Sequence, residues 1–384
     1  MLYLTWNGMG PMKGITYNKK IGKEVKKAIQ SYIYSGFPAT ERYNADYTRR
    51  ELLDVIVYSI ANDYFIEEGS ELLKMRRKKI ADGDTIFYRI KPATVSQVIS
   101  YSSTINEQIL TNAKSLGILN KPCICGLDWH DMGLYSKKIK EAVRTKPKNG
   151  TDYALRYLSI ESVEEGRRFT FHAVPINPFT NLCEAVSKLI SKTREYADIK
   201  LMLMDRAFFN ADMLEFLIPR NIPHVIPARR NKKIDALERS VRLKKIPIPN
   251  TPDSFYVVDN YPLAGRVKIK LVFYFTPSKE PDKPDRCFIF TTNLKVDVKN
   301  VKKLAELYRK RWGIETGYRV KDRVWGKTCS TNYVARLLFL FLSILLYNFW
   351  TLLRILKPPW TRVYKRFTLN KLKKIMRECI EFGC

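Results

Sequence analysis

Between residues 121 and 228, short apolar segments alternate with amphipathic ones, and this alternation constrains the fold more than any other feature of the chain. Runs rich in β-branched and aromatic residues predict strands, whereas apolar residues at three-to-four spacing predict helices. The predicted order is three strands, a helix, a strand, a helix and a strand, at 123–129, 151–162, 167–176, 181–196, 199–205, 210–217 and 224–228. Such an order is typical of a mixed α/β layer.

Changes of composition divide the chain into five predicted parts. They are a mainly helical, DNA-binding N-terminal domain at 1–120, the first part of the α/β core at 121–228, a basic β-rich insertion at 229–285, the second part of the core at 286–354 and a basic helical tail at 355–384. Helical periodicity is clearest at 49–64 and 93–117. A helix-turn-helix pair around 85–118 is a candidate for DNA contact.

The net charge points to the kind of partner. The chain has 384 residues and a formal net charge of +30, yet 45% of its residues are hydrophobic, so the charge sits on a folded body. Such an excess repels itself, which indicates a polyanionic partner, nucleic acid first and an anionic membrane surface second. The seven cysteines include no CxxC pair, so reduced intracellular thiols fit better than a zinc site or a disulfide framework.

One uncharged apolar run, at 337–353, has the composition of a membrane span. Its 17 residues are at the lower limit for crossing ~30 Å of hydrocarbon. Ser343, Asn348 and Thr351 interrupt the run, and it would be the only span in the chain. A helix buried on all sides in a large core is therefore the favoured interpretation, with membrane association as the alternative.

Three carboxylates stand where apolar residues would be expected. Asp128 and Asp205 are predicted at the C-terminal ends of apolar strands, where open α/β sheets place their ligands. Glu315 shares the core-facing stripe of a helix predicted over 301–318. Because an ionised carboxylate near a core edge is costly without a cationic partner, the simplest hypothesis is an ion pair with Arg311 at i,i+4.

A second hypothesis brings the three carboxylates into one pocket. They would then repel one another unless a divalent cation is bound, and oxygen-only ligands suit Mg²⁺ or Mn²⁺. Two such ions can activate a water or hydroxyl and stabilise the leaving oxygen of a phosphodiester, as nucleases and strand-transfer enzymes require. The three histidines lie in different segments and no P-loop is present, so competing chemistries are poorly supplied. His130 and Asp131 either support Asp128 or form a surface turn.

These segments resemble the DDE transposases of bacterial and archaeal insertion sequences. They are most similar to a subgroup, insertion-sequence family four, that is marked by a Tyr-x2-Arg-x3-Glu-x6-Lys signature. Tyr308, Arg311 and Glu315 match its first three positions. GLDWHDMGLYSK, which contains Asp128, and LMLMDRAFFNADMLEFL, which contains Asp205, resemble the segments that carry the family's two aspartates. The resemblance covers about residues 121 to 354.

The resemblance implies a fold, a reaction and partners. The fold would be α/β, a ribonuclease-H-like catalytic core with a β-rich insertion before Glu315. Asp128, Asp205 and Glu315 would hold two Mg²⁺ or Mn²⁺ ions, and Tyr308 and Arg311 would contact terminal phosphates. The protein would cleave DNA at the terminal repeats of an insertion sequence and join the freed 3′-OH ends to target DNA. A hairpin step, at least a homodimer on DNA and a cytoplasmic, nucleoid-associated location without a membrane are also expected.

The signature departs from the family at its lysine. Its expected position is occupied by Asp322, whereas Lys321 comes one residue early and about 100° round an ideal helix. Arg319, one turn after Glu315, points the right way. Arg319 and Lys321 are therefore both candidates for DNA contact, as is Arg206, which follows the second aspartate.

Two glycines, Gly313 and Gly317, interrupt the same predicted helix at a cost of about 1 kcal/mol each relative to alanine. Close approach of DNA would explain them, and so would a local irregularity that turns Lys321 inward. Two other functions stay open for the chain as a whole, a related nuclease without strand transfer and a DNA-binding protein that has lost catalysis. The three carboxylates in uninterrupted core segments argue against that loss.

Overall fold

Apolar strands from both halves of the chain join one mixed sheet. The computed structural model describes residues 27–41, 43–135, 139–148, 150–280, 283–356 and 367–382. The strands are β1 (Cys123–Leu134), β2 (Val143–Lys148), β3 (Thr151–Ser162), β4 (Thr170–Ile176), β5 (Ile199–Met204), β6 (His224–Pro227), β7 (Ile246–Pro247), β8 (Ser254–Leu263), β9 (Val267–Thr276) and β10 (Arg286–Thr291). Their order in the sheet is β2-β3-β1-β5-β6-β10-β9-β8-β7, and β4 also pairs with β3. β1, β5 and β6 run parallel, whereas β3 is antiparallel to β1.

Capping residues mark the beginning of several helices. The helices are α1 (Arg49–Asn62), α2 (Ile66–Lys74), α3 (Gly83–Ile90), α4 (Val95–Ser115), α5 (Leu182–Arg194), α6 (Ala211–Leu217), α7 (Lys232–Val241), α8 (Val301–Arg309), α9 (Trp312–Lys321), α10 (Tyr333–Leu356) and α11 (Leu369–Glu381). Thr48 and Glu51 form a capping box before α1, and Thr94 and Gln97 form one before α4. Gly117, with φ of 73°, follows α4 in the left-handed conformation that commonly ends a helix.

Helix α10 is the apolar run at 337–353, extended at both ends. By length and composition it could cross a membrane, but 83% of its most apolar window is buried inside the protein. Asn348 accepts a hydrogen bond from the Thr170 backbone N–H at 2.9 Å and donates one to the Asn106 side chain at 2.6 Å. The polar residue thus joins α10 to β4 and α4, as buried polar groups require. The helix is a core element of a non-membrane protein.

Helices α1 and α11 pack together. Tyr58 on α1 donates a hydrogen bond to Glu381 on α11 at 3.1 Å, and Lys373 pairs with Asp63 at 2.8 Å. The helix pair predicted around 85–118 corresponds to α3 and α4, and its contact with DNA stays a prediction. Residues 1–26 of the predicted N-terminal domain and residues 357–366, 383 and 384 of the predicted tail lie outside the described residues.

The structure corrects several predictions of local structure. The helix predicted over 301–318 is not continuous, because Lys310 and Arg311 form a turn between α8 and α9. The β-rich insertion at 229–285 also contains a helix that was not predicted, α7, which begins after Asn231, whose side chain accepts from the Ile234 N–H. Strand β2 was missed because its residues are basic and lack an apolar alternation.

Candidate active site

Asp128 and Asp205 lie on neighbouring parallel strands. In the β1–β5 register Leu127 pairs with Met204, so the next residue on each strand lies where the parallel pairing ends. Asp205 directly follows β5, as predicted. Asp128 is not at a strand end, because β1 continues to Leu134 through antiparallel pairing with β3. The structure therefore brings the two aspartates together, although only one of them ends a strand.

Helix α9 carries Glu315 and lies directly against the sheet because glycines leave room for it. A Cβ atom at Gly126 would lie 2.0 Å from the Ile314 Cδ1 atom, and one at Gly317 would lie 2.8 Å from a carboxylate oxygen of Glu161. A Cβ atom at Gly313 would lie 3.3 Å from the Val163 carbonyl oxygen. Packing against the sheet therefore accounts for the two helical glycines, while a close approach of DNA at these positions stays a prediction.

Arg311 bridges two of the three carboxylates. Its Nη1 atom donates to Asp128 Oδ2 at 2.6 Å, and its Nη2 atom donates to Glu315 Oε1 at 2.9 Å. The predicted Arg311–Glu315 ion pair is thus confirmed, but it is shared with a strand residue far away in the sequence. The Nε atom of Arg311 is buried and has no hydrogen-bond partner among the described residues.

Electrostatic coupling joins the third carboxylate to this pair. Burial raises the pKa of Asp128 to about 7; the Arg311 charge opposes the rise, and the charges of Asp205 and Glu315 add to it. Burial of the Arg311 guanidinium lowers its pKa, but Tyr308 and the three carboxylates outweigh that effect and raise it. Asp128, Asp205 and Glu315 therefore belong to one electrostatic site.

The residues predicted to contact phosphate differ in how exposed their side chains are. Tyr308 is half-buried, with its ring 5.3 Å from that of Phe288, and burial raises its pKa to about 12. The Arg311 guanidinium lies 5.7 Å from the centre of the Tyr308 ring. Arg206, directly after Asp205, and Arg319 on α9 are both exposed. Arg206 and Arg319 therefore lie on the protein surface, and the contact of these side chains with DNA stays a prediction.

Lys321 differs from the other predicted DNA contacts because it is fully buried. It forms an ion pair with Glu161 on β3 and donates to the Thr170 hydroxyl at 3.3 Å. The ammonium group has no exposed surface, so in this structure it is out of reach of a DNA phosphate. Reasoning from the sequence missed Glu161 as its partner, although a carboxylate inside the apolar β3 segment was a visible signal.

His130 and Asp131 do not form a surface turn, since β1 continues through them. His130 lies 3.3 Å from Asp322, and its ring centre is 4.6 Å from that of Tyr318. Asp131 pairs with Arg156 through two hydrogen bonds of 2.6 and 2.7 Å. Neither side chain shares a hydrogen bond with the Asp128 carboxylate.

The donor set fits a hard divalent cation in its chemistry, because Asp205 and Glu315 both act electrostatically on the buried Asp128 carboxylate. Among the described residues, however, no three His, Cys, Asp or Glu side chains are grouped closely enough to hold a metal ion. Arg311 supplies the positive charge between Asp128 and Glu315 instead. A cation would therefore replace the guanidinium as the partner of these carboxylates.

Comparison with known proteins identifies the family. The chain is similar to the piggyBac transposase of a synaptic complex with hairpin DNA, solved by cryo-EM, with a TM-score of 0.58 and 13% identity over 96% of this chain and 78% of that chain. This likeness concerns the fold alone. No curated protein matches. The family model described as Transposase DDE domain matches residues 120–349, more than half of the chain. The chain therefore belongs to the DDE transposases, enzymes that cleave DNA and transfer its strands.

Proposed function

We propose that Asp128, Asp205 and Glu315 form the catalytic centre with which this DNA transposase cleaves the terminal repeats of an insertion sequence. The observation that carries the proposal is the Arg311 guanidinium between Asp128 and Glu315, in a site where Asp205 acts on both Arg311 and Asp128. Arg311 lies between two of these acidic groups, and its guanidinium is the protein's own source of the positive charge that neighbouring carboxylates need.

Asp128, Asp205 and Glu315 would hold Mg²⁺ or Mn²⁺, with two ions expected. When bound, the ions would supply activation of the attacking water or 3′-OH and stabilisation of the leaving oxygen. Arg311, released from the carboxylates, would remain beside Tyr308 and turn toward the scissile phosphate. Its buried Nε atom, which has no hydrogen-bond partner in the part of the chain that the structure describes, supports this role because arginine offers a planar set of donors for phosphate oxygens.

Exposed cations beside the site would hold the DNA backbone. Arg206 follows Asp205 directly, and Arg319 lies one turn beyond Glu315 on α9. Of the two candidates for the signature lysine, Arg319 is the exposed one and takes the phosphate contact in this proposal. These contacts orient the substrate, and they carry no sequence information by themselves.

Several finer features rest on the same resemblance. The mixed sheet, which the β-rich insertion before Glu315 extends at one edge, supports a ribonuclease-H-like core of the insertion-sequence family four subgroup. The five domains proposed above, a homodimer that holds two DNA ends, a hairpin step and a nucleoid location belong to this proposal. The piggyBac complex, which contains hairpin DNA, gives a structural precedent on a similar fold.

The proposal predicts Mg²⁺-dependent cleavage of DNA that carries the flanks of the protein's own gene. Asp205→Asn should abolish cleavage while leaving DNA binding intact, because it removes a carboxylate and keeps the side-chain shape. Gel assays of cleaved and joined products, with fluorescence anisotropy for binding, would measure both, and joined products separate strand transfer from simple nuclease action. The matched control is Asp212→Asn. Asp212 is an exposed aspartate that pairs with Arg266 at 2.8 Å, and the variant should cleave at the wild-type rate. Cleavage by Asp205→Asn at the wild-type rate would reject the assignment.

A further inference from the structure

Lys321 and Glu161 form a charge pair that is shielded from solvent on all sides. Lys321 is 0% exposed and Glu161 is 2% exposed. The Lys321 ammonium donates to the Glu161 carboxylate and lies 4.4 Å from the centre of the Tyr318 ring. A buried ion pair of this kind adds little to stability over an apolar pair, so its presence calls for another explanation.

A continuous set of polar contacts leads from this pair to the catalytic strand. The Ser159 hydroxyl donates to Glu161 at 3.0 Å and lies 3.0 Å from the Tyr318 hydroxyl. The Tyr318 hydroxyl donates to the backbone carbonyl of Asp128 at 2.8 Å. Ser159 and Tyr318 are buried, as are the charged pair and Asp128 itself. The pair is therefore linked through two hydroxyl groups to the backbone of a proposed metal ligand.

The same contacts fix the helix that carries the third carboxylate. Glu315, Tyr318 and Lys321 lie three residues apart on α9, and each contacts a different part of the site. Glu315 meets Arg311, Tyr318 meets the backbone of β1, and Lys321 meets β3 and the Thr170 hydroxyl of β4. Gly317, between them, lets the helix approach Glu161. The ion pair between Lys321 and Glu161 thus holds the C-terminal turn of α9 against the sheet.

We propose that Lys321 is a positioning residue and not a DNA contact. Its ion pair with Glu161 sets the position of α9 and, through Ser159 and Tyr318, the backbone of Asp128, so that Glu315 and Asp128 face a common centre. The inference deepens the proposed function and rests on it. A positioning role predicts a defect in the cleavage step, whereas a phosphate contact predicts a defect in DNA affinity and its salt dependence.

The test compares Lys321→Met with Arg319→Met, which removes a charge from the exposed side of the same helix. Single-turnover cleavage of DNA with the gene's flanks is measured at saturating protein, and the Kd is measured over a range of KCl concentrations. Lys321→Met should cleave about tenfold more slowly or worse at saturation, since small misplacements of catalytic groups are costly. Its Kd and salt slope should match the wild type. Arg319→Met should instead bind DNA more weakly. The slope of its log K against log salt should fall by about one, as expected for the loss of one phosphate contact.

A charge-swapped protein provides a readout that a DNA contact would not give. Glu161→Lys combined with Lys321→Glu restores opposite charges at the buried pair, and we expect it to cleave faster than Lys321→Glu alone. If Lys321→Met does not fold, the measurement moves to Glu161→Gln with Lys321→Met, which leaves no unpaired charge. In that double variant we again expect slow cleavage with unchanged affinity.

Three results would overturn the inference. The first is cleavage by Lys321→Met at the wild-type rate, and the second is cleavage by the neutral double variant at that rate. The third is a Lys321→Met protein with a lower salt slope for DNA binding and an unchanged cleavage rate at saturation. Failure of the wild-type protein to cleave in the same assay would instead reject the proposed function, so the two failures are distinguishable.

Discussion

Single residues show how the protein accommodates buried carboxyl groups at the site. Asp128 is only 8% exposed, and burial favours its neutral form strongly enough to raise its pKa to about 7 despite the adjoining Arg311. Glu161 is as deeply buried and meets Lys321. The two ion pairs differ in what their cations can still bind. The Arg311 Nε donor has no hydrogen-bond partner among the described residues, whereas Lys321 is enclosed.

Asp128→Asn should stabilise the metal-free protein in a pH-dependent way. A carboxyl with a raised pKa contributes stability below about pH 4 that is lost as the pH rises through about 7. The asparagine side chain does not ionise, so the variant does not lose this stability. At about 1.36 kcal/mol per pKa unit, its free energy of unfolding at pH 8 should exceed the wild-type value by up to roughly 4 kcal/mol. Urea unfolding in chelator at pH 5 and pH 8 measures the difference, which should shrink at the lower pH.

The control for this experiment is Asp212→Asn. Asp212 pairs with Arg266 at the surface, and we expect only a small change in stability because ion pairs open to solvent contribute little. A stability gain in Asp128→Asn that does not depend on pH would contradict the electrostatic explanation.

Among the secondary-structure elements, α9 decides whether the site forms. It lies against β1 at Gly126 and against β3 at Gly317, and these contacts are close enough that a methyl group would not fit without movement. Lys310 and Arg311 form a turn between α8 and α9, and the contacts at Gly126 and Gly317 hold α9 against the sheet. Glu315 depends on this packing for its position.

Gly126→Ala should therefore impair both stability and cleavage. The added Cβ atom would lie 2.0 Å from the Ile314 Cδ1 atom, and overpacking of a buried site typically costs about 1–3 kcal/mol. The displaced helix should also slow cleavage. Urea unfolding and single-turnover assays measure the two effects. Gly133→Ala on the same strand, where the nearest atom is Thr151 Cγ2 at 3.4 Å, should change neither. Adding Ile314→Val to Gly126→Ala should restore part of the loss, and a double variant no better than the single one would count against this packing account.

For the whole molecule, the dominant property is a formal charge of +30 on a folded body. Apolar residues from both halves of the chain form one continuous core, and α10 is enclosed within it. Among the described residues, exposed cations such as Arg206, Lys232 and Arg319 stand on the surface around this core, where they can meet a polyanion.

Binding to DNA should weaken steeply with salt. If six to ten phosphates are neutralised, affinity should fall by roughly 10³ to 10⁵ between about 50 and 200 mM salt. Replacing the exposed Lys232 and Lys233 of the insertion with Gln should reduce the slope of log K against log salt by up to about 2. Fluorescence anisotropy over a KCl series measures both. An unchanged slope in that variant would remove the role given to the basic insertion.

The sequence by itself determined the order of strands and helices in the core and which carboxylates stand out from it. These follow from local periodicity and from the cost of burying a charge, which are legible over a few residues. Most of the elements predicted between residues 121 and 228 appear at nearly the predicted positions.

Only the tertiary structure decided which partner each charged side chain meets. Arg311 reaches Asp128 across 183 residues, and Lys321 reaches Glu161 across 160. A helical pattern specifies that a residue faces inward, but the group it meets there depends on how strands distant in the chain are brought beside it. For this reason Lys321 could be placed on α9 from the sequence, while its enclosure against Glu161 required the packed sheet.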